Sequence, residues 1–261
     1  MTRVTGAMEE AGVTEITGAM GEPEGTGITG AMDEPEGTGE AGATEVSEAP
    51  LLSVARRLDH CTVLGPGTRA VIWVQGCPLR CRGCVAAETL PFEGGTASAV
   101  DELADWLCGL PGVEGVTLSG GEPFSQAAAL VALLDAVRAR RPGLSAMAYS
   151  GHRYEALREG GPDRRALLRR LDLLVDGPYV AARHGSLRWR GSANQRIVAL
   201  TGRYAHLASE PDLSAGVELS LEADGSLSWA GVPPTPGFRK GFEEQLAGRG
   251  FVLRTQARRD T

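Results

Sequence analysis

Residues 69–84 read RAVIWVQGCPLRCRGC, and the fold turns on them. Arg69–Gln75 (RAVIWVQ) is an unbroken apolar run rich in β-branched residues, the pattern of a buried strand. It runs directly into Cys77, Cys81 and Cys84, with Gly76, Pro78 and Gly83 among them. A loop dense in sulfur thus begins where a buried strand ends, and residues 76–95 read as loop throughout. Beyond it, Ser98–Leu110 reads as a helix, with Ser98 as N-cap and Asp101 and Glu102 favouring its first turn. Gly115–Leu118 is a short strand. Ser125–Arg141 is an amphipathic helix with Leu130, Leu133, Leu134 and Val137 on one face, ended by Pro142-Gly143. Ala146–Tyr149 reads as a strand, Asp163–Arg170 as a helix, and Leu171–Val175 and Arg196–Leu200 as strands. Such alternation predicts βαβ units and a parallel sheet. Ligands of parallel sheets sit at the carboxyl ends of the strands. The loops 76–95, 119–125, 150–153 and 176–195 all follow strands, so they are expected to meet at one end.

The flanks have a different character. The chain has 261 residues and a net charge of −7. Residues 1–50 hold one basic residue, Arg3, against eleven acidic ones, and the remainder is close to neutral. Residues 5–40 repeat with a period of twelve (TGAMEEAGVTEI, TGAMGEPEGTGI, TGAMDEPEGTGE). Gly, Thr and Glu offer almost nothing to bury, so residues 1–50 are expected to be a disordered acidic tail. Residues 51–200 form the expected core. In residues 201–261, Val217–Leu221 and Leu227–Trp229 are expected to pair across Asp224-Gly225. A helix with Phe238, Phe242 and Leu246 on one side follows Pro236, and Phe251–Leu253 is a last candidate strand. This segment reads as a small α+β extension for packing or partner docking.

The charge pattern does not argue for nucleic acid, and no apolar run is long enough to span a membrane. The N-terminus lacks a secretory pattern. Five cysteines, three of them crowded together, suit a reducing, cytoplasmic setting with a metal site better than a disulfide framework. Cys61 and Cys108 read as small buried hydrophobes. His60, His152, His184 and His206 show no ligand spacing to one another.

Cys77, Cys81 and Cys84 have the spacing C-x3-C-x2-C. Three thiolates on one short loop can hold three irons of a cubane cluster, which leaves the fourth iron open to a substrate. Spacing alone leaves two other readings: a structural zinc site with a fourth ligand such as His60 or Cys61, and coincidence.

The wider sequence resembles the radical S-adenosylmethionine (SAM) superfamily, in particular its glycyl-radical-enzyme activases for anaerobic ribonucleoside-triphosphate reductase. The resemblance rests on the cysteine motif with Gly83 before the third cysteine. It rests further on Gly65-Pro-Gly-Thr-Arg69, Val74-Gln-Gly-Cys77, Ser119-Gly-Gly-Glu-Pro123, Tyr149-Ser-Gly151, Leu173-Leu-Val-Asp-Gly-Pro178 and Trp189-Arg-Gly-Ser-Ala-Asn-Gln195. These motifs span about residues 60–200.

The resemblance implies an α/β fold with an open, partial βα barrel. It implies one [4Fe-4S] cluster on Cys77, Cys81 and Cys84 with one open iron, and SAM as second cofactor. Gly120 and Gly121 would approach the methionine end of SAM, and Glu122 would accept its ammonium. Gly83 and Val85 would lie against the adenosine, and Ser150 near the ribose. Catalysis would need no residue beyond the cluster and SAM. The partners implied are a glycyl-radical enzyme, most simply anaerobic ribonucleotide reductase, and a flavodoxin- or ferredoxin-type electron donor. Another peptide or small molecule as target, and a non-catalytic iron–sulfur or zinc module, are the alternatives. Asp176 and residues 189–195 carry no assigned role, with loop-stabilising hydrogen bonds as the simplest one. Gly65-Pro-Gly67 is either a plain turn or a device that positions Arg69.

Overall fold

The computed structural model describes residues 50–221 and 227–250. The expected acidic tail, the Asp224-Gly225 turn and the Phe251–Leu253 strand lie outside the described residues. The strand read from the sequence is β2 (Arg69–Val74), buried along its whole length. It pairs in parallel with β4 (Gly115–Gly120), which pairs in parallel with β5 (Ser145–Ser150), and β5 with β6 (Leu173–Asp176). β7 (Arg196–Ala199) closes this side antiparallel to β6. On the other side β1 (Leu51–Cys61) runs antiparallel to β2 and carries β3 (Thr96–Ala99) on its outer edge. The result is one seven-stranded mixed sheet in the order β3-β1-β2-β4-β5-β6-β7, open at β3 and β7.

Side chains alternate across the sheet as the pleat requires. Ala70, Ile72, Val74, Val116, Leu118, Ala146, Ala148 and Leu174 face the helices α1 (Val100–Gly109), α2 (Ala127–Arg140) and α4 (Pro162–Leu168) and form the main core with them. A short α3 (Tyr154–Arg158) follows β5. The opposite set, Val71, Trp73, Met147, Leu173 and Val175, packs on the other face in two smaller clusters. β8 (Val217–Leu221) and β9 (Leu227–Gly231) form the expected antiparallel pair, and α5 (Phe238–Gly248) follows.

Two expectations need correction. Ser98 is not a helix cap: it sits in β3, paired with Leu52, and α1 starts one residue after its N-cap Ala99. The sheet is mixed rather than parallel, because β1 and β7 run against the central four strands, while β3, antiparallel to β1, runs with them. Cys61 is buried as expected, whereas Cys108 is half-buried.

At the amino end of the parallel strands, the Arg69 guanidinium is wholly buried. Its Nε donates to Thr117 Oγ1 at 2.7 Å, Nη1 to Ser145 Oγ at 2.9 Å and Pro66 O at 3.2 Å, and Nη2 to Val116 O at 2.6 Å. Gly65, at φ +134°, leaves room for it: a Cβ there would press on Arg69 Cδ. The Gly65-Pro-Gly67 turn therefore is shaped around Arg69.

Candidate active site

The loops that follow β2, β4, β5 and β6 meet at the carboxyl end of the sheet. There they line one cavity, with Cys77, Cys81, Cys84, Val85, Gly120, Gly121, Glu122 and Ser150 all in its wall. Its empty volume is about 1250 Å³, open mouth included.

The cysteine loop is pinned at its root. The Gln75 side chain donates to Pro91 O at 2.6 Å, and Gln126 Nε2 donates to Gln75 O at 3.0 Å. Gly76 N donates to Thr89 O and Cys77 N to Leu90 O, which fold residues 89–90 back over the first cysteine. Arg80 and Gly83 both adopt positive φ, and Cys84 N donates to Cys81 O at 3.2 Å. Gly83 thus stands where the backbone reverses before the third cysteine. It does not line the cavity: a Cβ there would face Ala181 and Tyr179. Cys77 is buried, and Cys81 and Cys84 are half-buried. Burial pushes the Cys77 and Cys84 thiols up, so a metal would have to displace their protons. Among the described residues no three His, Cys, Asp or Glu side chains are gathered about one metal ion. The three cysteines share a cavity wall instead, which suits a cubane that spreads its thiolates over separate irons.

The Gly120-Gly121-Glu122 loop crosses the end of β2. Gly121 N donates to Val74 O at 2.8 Å and Glu122 N to Gly76 O at 2.9 Å. A Cβ on Gly120 would lie 2.5 Å from Val74 O, and one on Gly121 would overlap Gly76 O. The two glycines are therefore required by neighbouring backbone as well as lining the cavity. The Glu122 carboxylate is almost fully buried. Its Oε1 accepts from Ser150 Oγ at 2.9 Å and Phe124 N at 3.1 Å, and its Oε2 from Gly151 N at 2.9 Å. Burial still raises its pKa above the ordinary 4.5. Ser150 lies in the cavity wall, but its hydroxyl is engaged with Glu122 and accepts from His152 N at 3.1 Å.

The two motifs without assigned roles brace the loop after β6. Asp176, fully buried, accepts from Tyr154 N and from the Arg196 guanidinium. Gln195 Oε1 accepts from Gly191 N and Ser192 N, and its Nε2 donates to Gly177 O. His184 links this loop to the extension: Nε2 donates to Pro233 O at 2.9 Å, so Nδ1 accepts from Tyr179 OH at 3.0 Å.

Sequence reasoning missed part of the wall. Arg56 and Trp73 reach the cavity from β1 and β2, Tyr149 from β5, and Val217, Trp229–Pro233 and Arg239 from the extension. The apolar aromatic Trp229, packed edge-on against Phe238 and Phe242, was the available signal.

Residues 63–198 match the family described as "4Fe-4S single cluster domain". The chain is 32% identical over 140 residues to the anaerobic ribonucleoside-triphosphate reductase-activating protein of Enterobacteria phage T4, covering 52% of this chain and 86% of that one. It is 34% identical over 146 residues to the protein of the same name from Vibrio cholerae, covering 53% and 92%. The Escherichia coli K12 counterpart is 31% identical over 142 residues, covering 52% and 90%. The resemblance carried by the motifs therefore holds, and the chain belongs to the enzyme family of anaerobic ribonucleoside-triphosphate reductase-activating proteins, with its 4Fe-4S single cluster domain.

Proposed function

We propose that this chain cleaves SAM reductively at a [4Fe-4S] cluster and uses the product to install a glycyl radical on a partner enzyme such as anaerobic ribonucleoside-triphosphate reductase. The observation that carries the reading is that Cys77, Cys81, Cys84 and the Gly120-Gly121-Glu122 loop, 36 or more positions apart in sequence, line one cavity. Cys77, Cys81 and Cys84 would hold three irons, and the fourth would take the amino and carboxylate groups of SAM. That pair supplies one-electron cleavage of the sulfonium bond to C5′, giving a 5′-deoxyadenosyl radical.

The chain's own residues bind, orient and shield. Glu122, locked by three donors, presents a fixed acceptor edge for an ammonium group, and a cation beside it would lower its raised pKa. Gly120 and Gly121 keep side chains out of the space between the two loops. Val85 offers an apolar contact for the adenosine. Gly83 acts through the loop conformation rather than by contact. The apolar wall from Trp73, Tyr149 and Trp229 keeps water from a reactive intermediate. The same reading takes the open sheet as a partial barrel of the radical SAM type, supported by four parallel strands with α1, α2 and α4 packed on one face. An outside flavodoxin- or ferredoxin-type protein would deliver the electron.

One observation favours a different target, a smaller peptide or molecule. The extension roofs the cavity with Val217 and Trp229–Pro233, on the face a large protein loop would use.

The test is anaerobic reconstitution with iron and sulfide, then dithionite and SAM, with 5′-deoxyadenosine as readout and Cys81→Ala as control. Formation by wild type alone supports the reading. A fully loaded wild-type cluster that yields none overturns it. Glycyl-radical EPR of anaerobic ribonucleoside-triphosphate reductase mixed with the reduced enzyme then decides the target.

A further inference from the structure

The charged groups of the cavity are not evenly committed. Four carboxylate or guanidinium side chains line it: Arg56, Glu88, Glu122 and Arg239. Glu122 is held by Ser150, Phe124 and Gly151, and Arg239 Nε donates to Glu243 Oε1 at 2.9 Å. Glu88 is exposed on the cysteine loop and enters no ion pair among the described residues. Arg56 enters no ion pair among the described residues either, although the Glu88 carboxylate of the same cavity is close enough to act on its charge. Its guanidinium stacks on Trp73, 3.5 Å from the ring centroid, and one Nη2 hydrogen goes to Trp229 O at 2.7 Å.

This cation is built into place. Arg56 pairs in register with Trp73, four positions before Cys77, so the sheet fixes its distance from the cysteine loop. The stack and the single hydrogen bond lock the plane of the guanidinium while leaving further N–H groups unspent. Burial draws its pKa down to about 10; the Glu88 carboxylate offsets part of this and the Arg239 charge adds to it. Trp229 Nε1, in the same wall, is buried with no hydrogen-bond partner. The cavity thus has a carboxyl- and thiol-bearing end at Cys77, Cys81, Cys84 and Glu122, and an end with two guanidinium groups, Arg56 and Arg239, beneath the β8–β9 hairpin.

We infer that Arg56 is a specificity residue that binds a carboxylate of the substrate, next to the position from which hydrogen is taken. The inference rests on the proposed function and names its substrate class: a segment carrying an acidic group beside the reacting glycine. A planar guanidinium with free N–H groups matches the two oxygens of one carboxylate. Arg239 adds a second positive charge at longer range. The hairpin that completes this end belongs to the residues beyond the 63–198 family match, so the preference is a property of this chain.

The test is calorimetric titration of the cluster-loaded full chain with N-acetyl-Gly-Asp-amide and N-acetyl-Gly-Asn-amide. The Asp peptide is expected to bind about tenfold more tightly. Arg56→Gln should bring the two affinities together, and Arg56→Lys should retain part of the ratio. The ratio separates recognition from scaffolding, since a loosened hairpin weakens both peptides alike. Arg56→Lys also keeps the test readable if Arg56→Gln fails to fold. Equal binding, no binding, or a ratio that persists in Arg56→Gln overturns the inference. Glutarate binding as tightly as the Asp peptide, and lost in Arg56→Gln, supports the site and assigns its carboxylate to a free small molecule. Absence of 5′-deoxyadenosine from wild type would sink the SAM reading and leave the peptide ratio intact as a separate result.

Discussion

At Gly121 a single methyl group decides whether two loops can cross. An added Cβ would overlap the Gly76 carbonyl, which is backbone and cannot swing aside. Gly121→Ala should therefore cost about 2–3 kcal/mol in urea unfolding. Gly83→Ala meets Ala181 Cβ at 3.5 Å and Tyr179 Cε1 at 3.9 Å, ordinary contacts, and bears the left-handed backbone at φ +73°, a cost of about 1–2 kcal/mol. A larger loss at Gly83 would reverse this ranking. Glu122 adds a pH signature. Burial raises its folded pKa above 4.5, so the folded chain holds that proton more tightly than the unfolded one. The associated stability is present in full below about 4.5 and is lost as pH rises through the raised value. Glu122→Gln has no such proton. Apo wild-type stability, measured relative to Glu122→Gln, should fall as pH is taken upward from 4.5, and a difference that stays flat refutes the assignment.

The elements are tied at the opposite end of the sheet. Arg69 on β2 donates to Thr117 and Val116 of β4, to Ser145 of β5 and to Pro66 of the preceding turn. Thr117 Oγ1 passes its own hydrogen to Leu64 O at 2.7 Å, and Tyr204 OH donates to Ser145 Oγ at 2.8 Å. One buried guanidinium, in no ion pair among the described residues, thus orders three strands and a loop. Arg69→Met fills much of the volume but strips these acceptors of their donor, and should cost about 3 kcal/mol in urea. The central strands were legible because their apolar runs are short and uninterrupted. β1 was not, because its burial alternates only at Leu52 and Val54 and then breaks at bulges against β2. Ser98 has the right chemistry for a cap, yet pairing with Leu52 keeps it extended.

For the molecule as a whole, the cavity links stability to metal loading. The loop from Gly76 to Leu90 folds around Cys77 through backbone hydrogen bonds, and a cluster would cross-link its three cysteines. Reconstituted protein should melt roughly 5 °C or more above chelator-treated protein. Cys81→Ala should show no such rise. A wild type whose melting is indifferent to iron and sulfide would argue that the loop holds no cluster. No helix among the described residues is long and apolar enough to cross a membrane.

The sequence by itself determined the cysteine loop, the strand that leads into it, the Gly120-Gly121-Glu122 turn and the convergence of four loops at one end of the sheet. These features are local, carried by spacing, periodicity and the chemistry of sulfur and glycine. Only the tertiary structure decided what completes the site. Arg56 reaches Trp229, 173 positions away, through a strand pairing and a hairpin docking that no local pattern encodes. It also decided that Gly120 and Gly121 answer to Val74 and Gly76, that Ser150 serves Glu122, and that Gly83 turns the chain without touching the cavity. The physical reason is the same in each case: a close contact between distant segments depends on register and packing, and neither is written in the residues on one side of it.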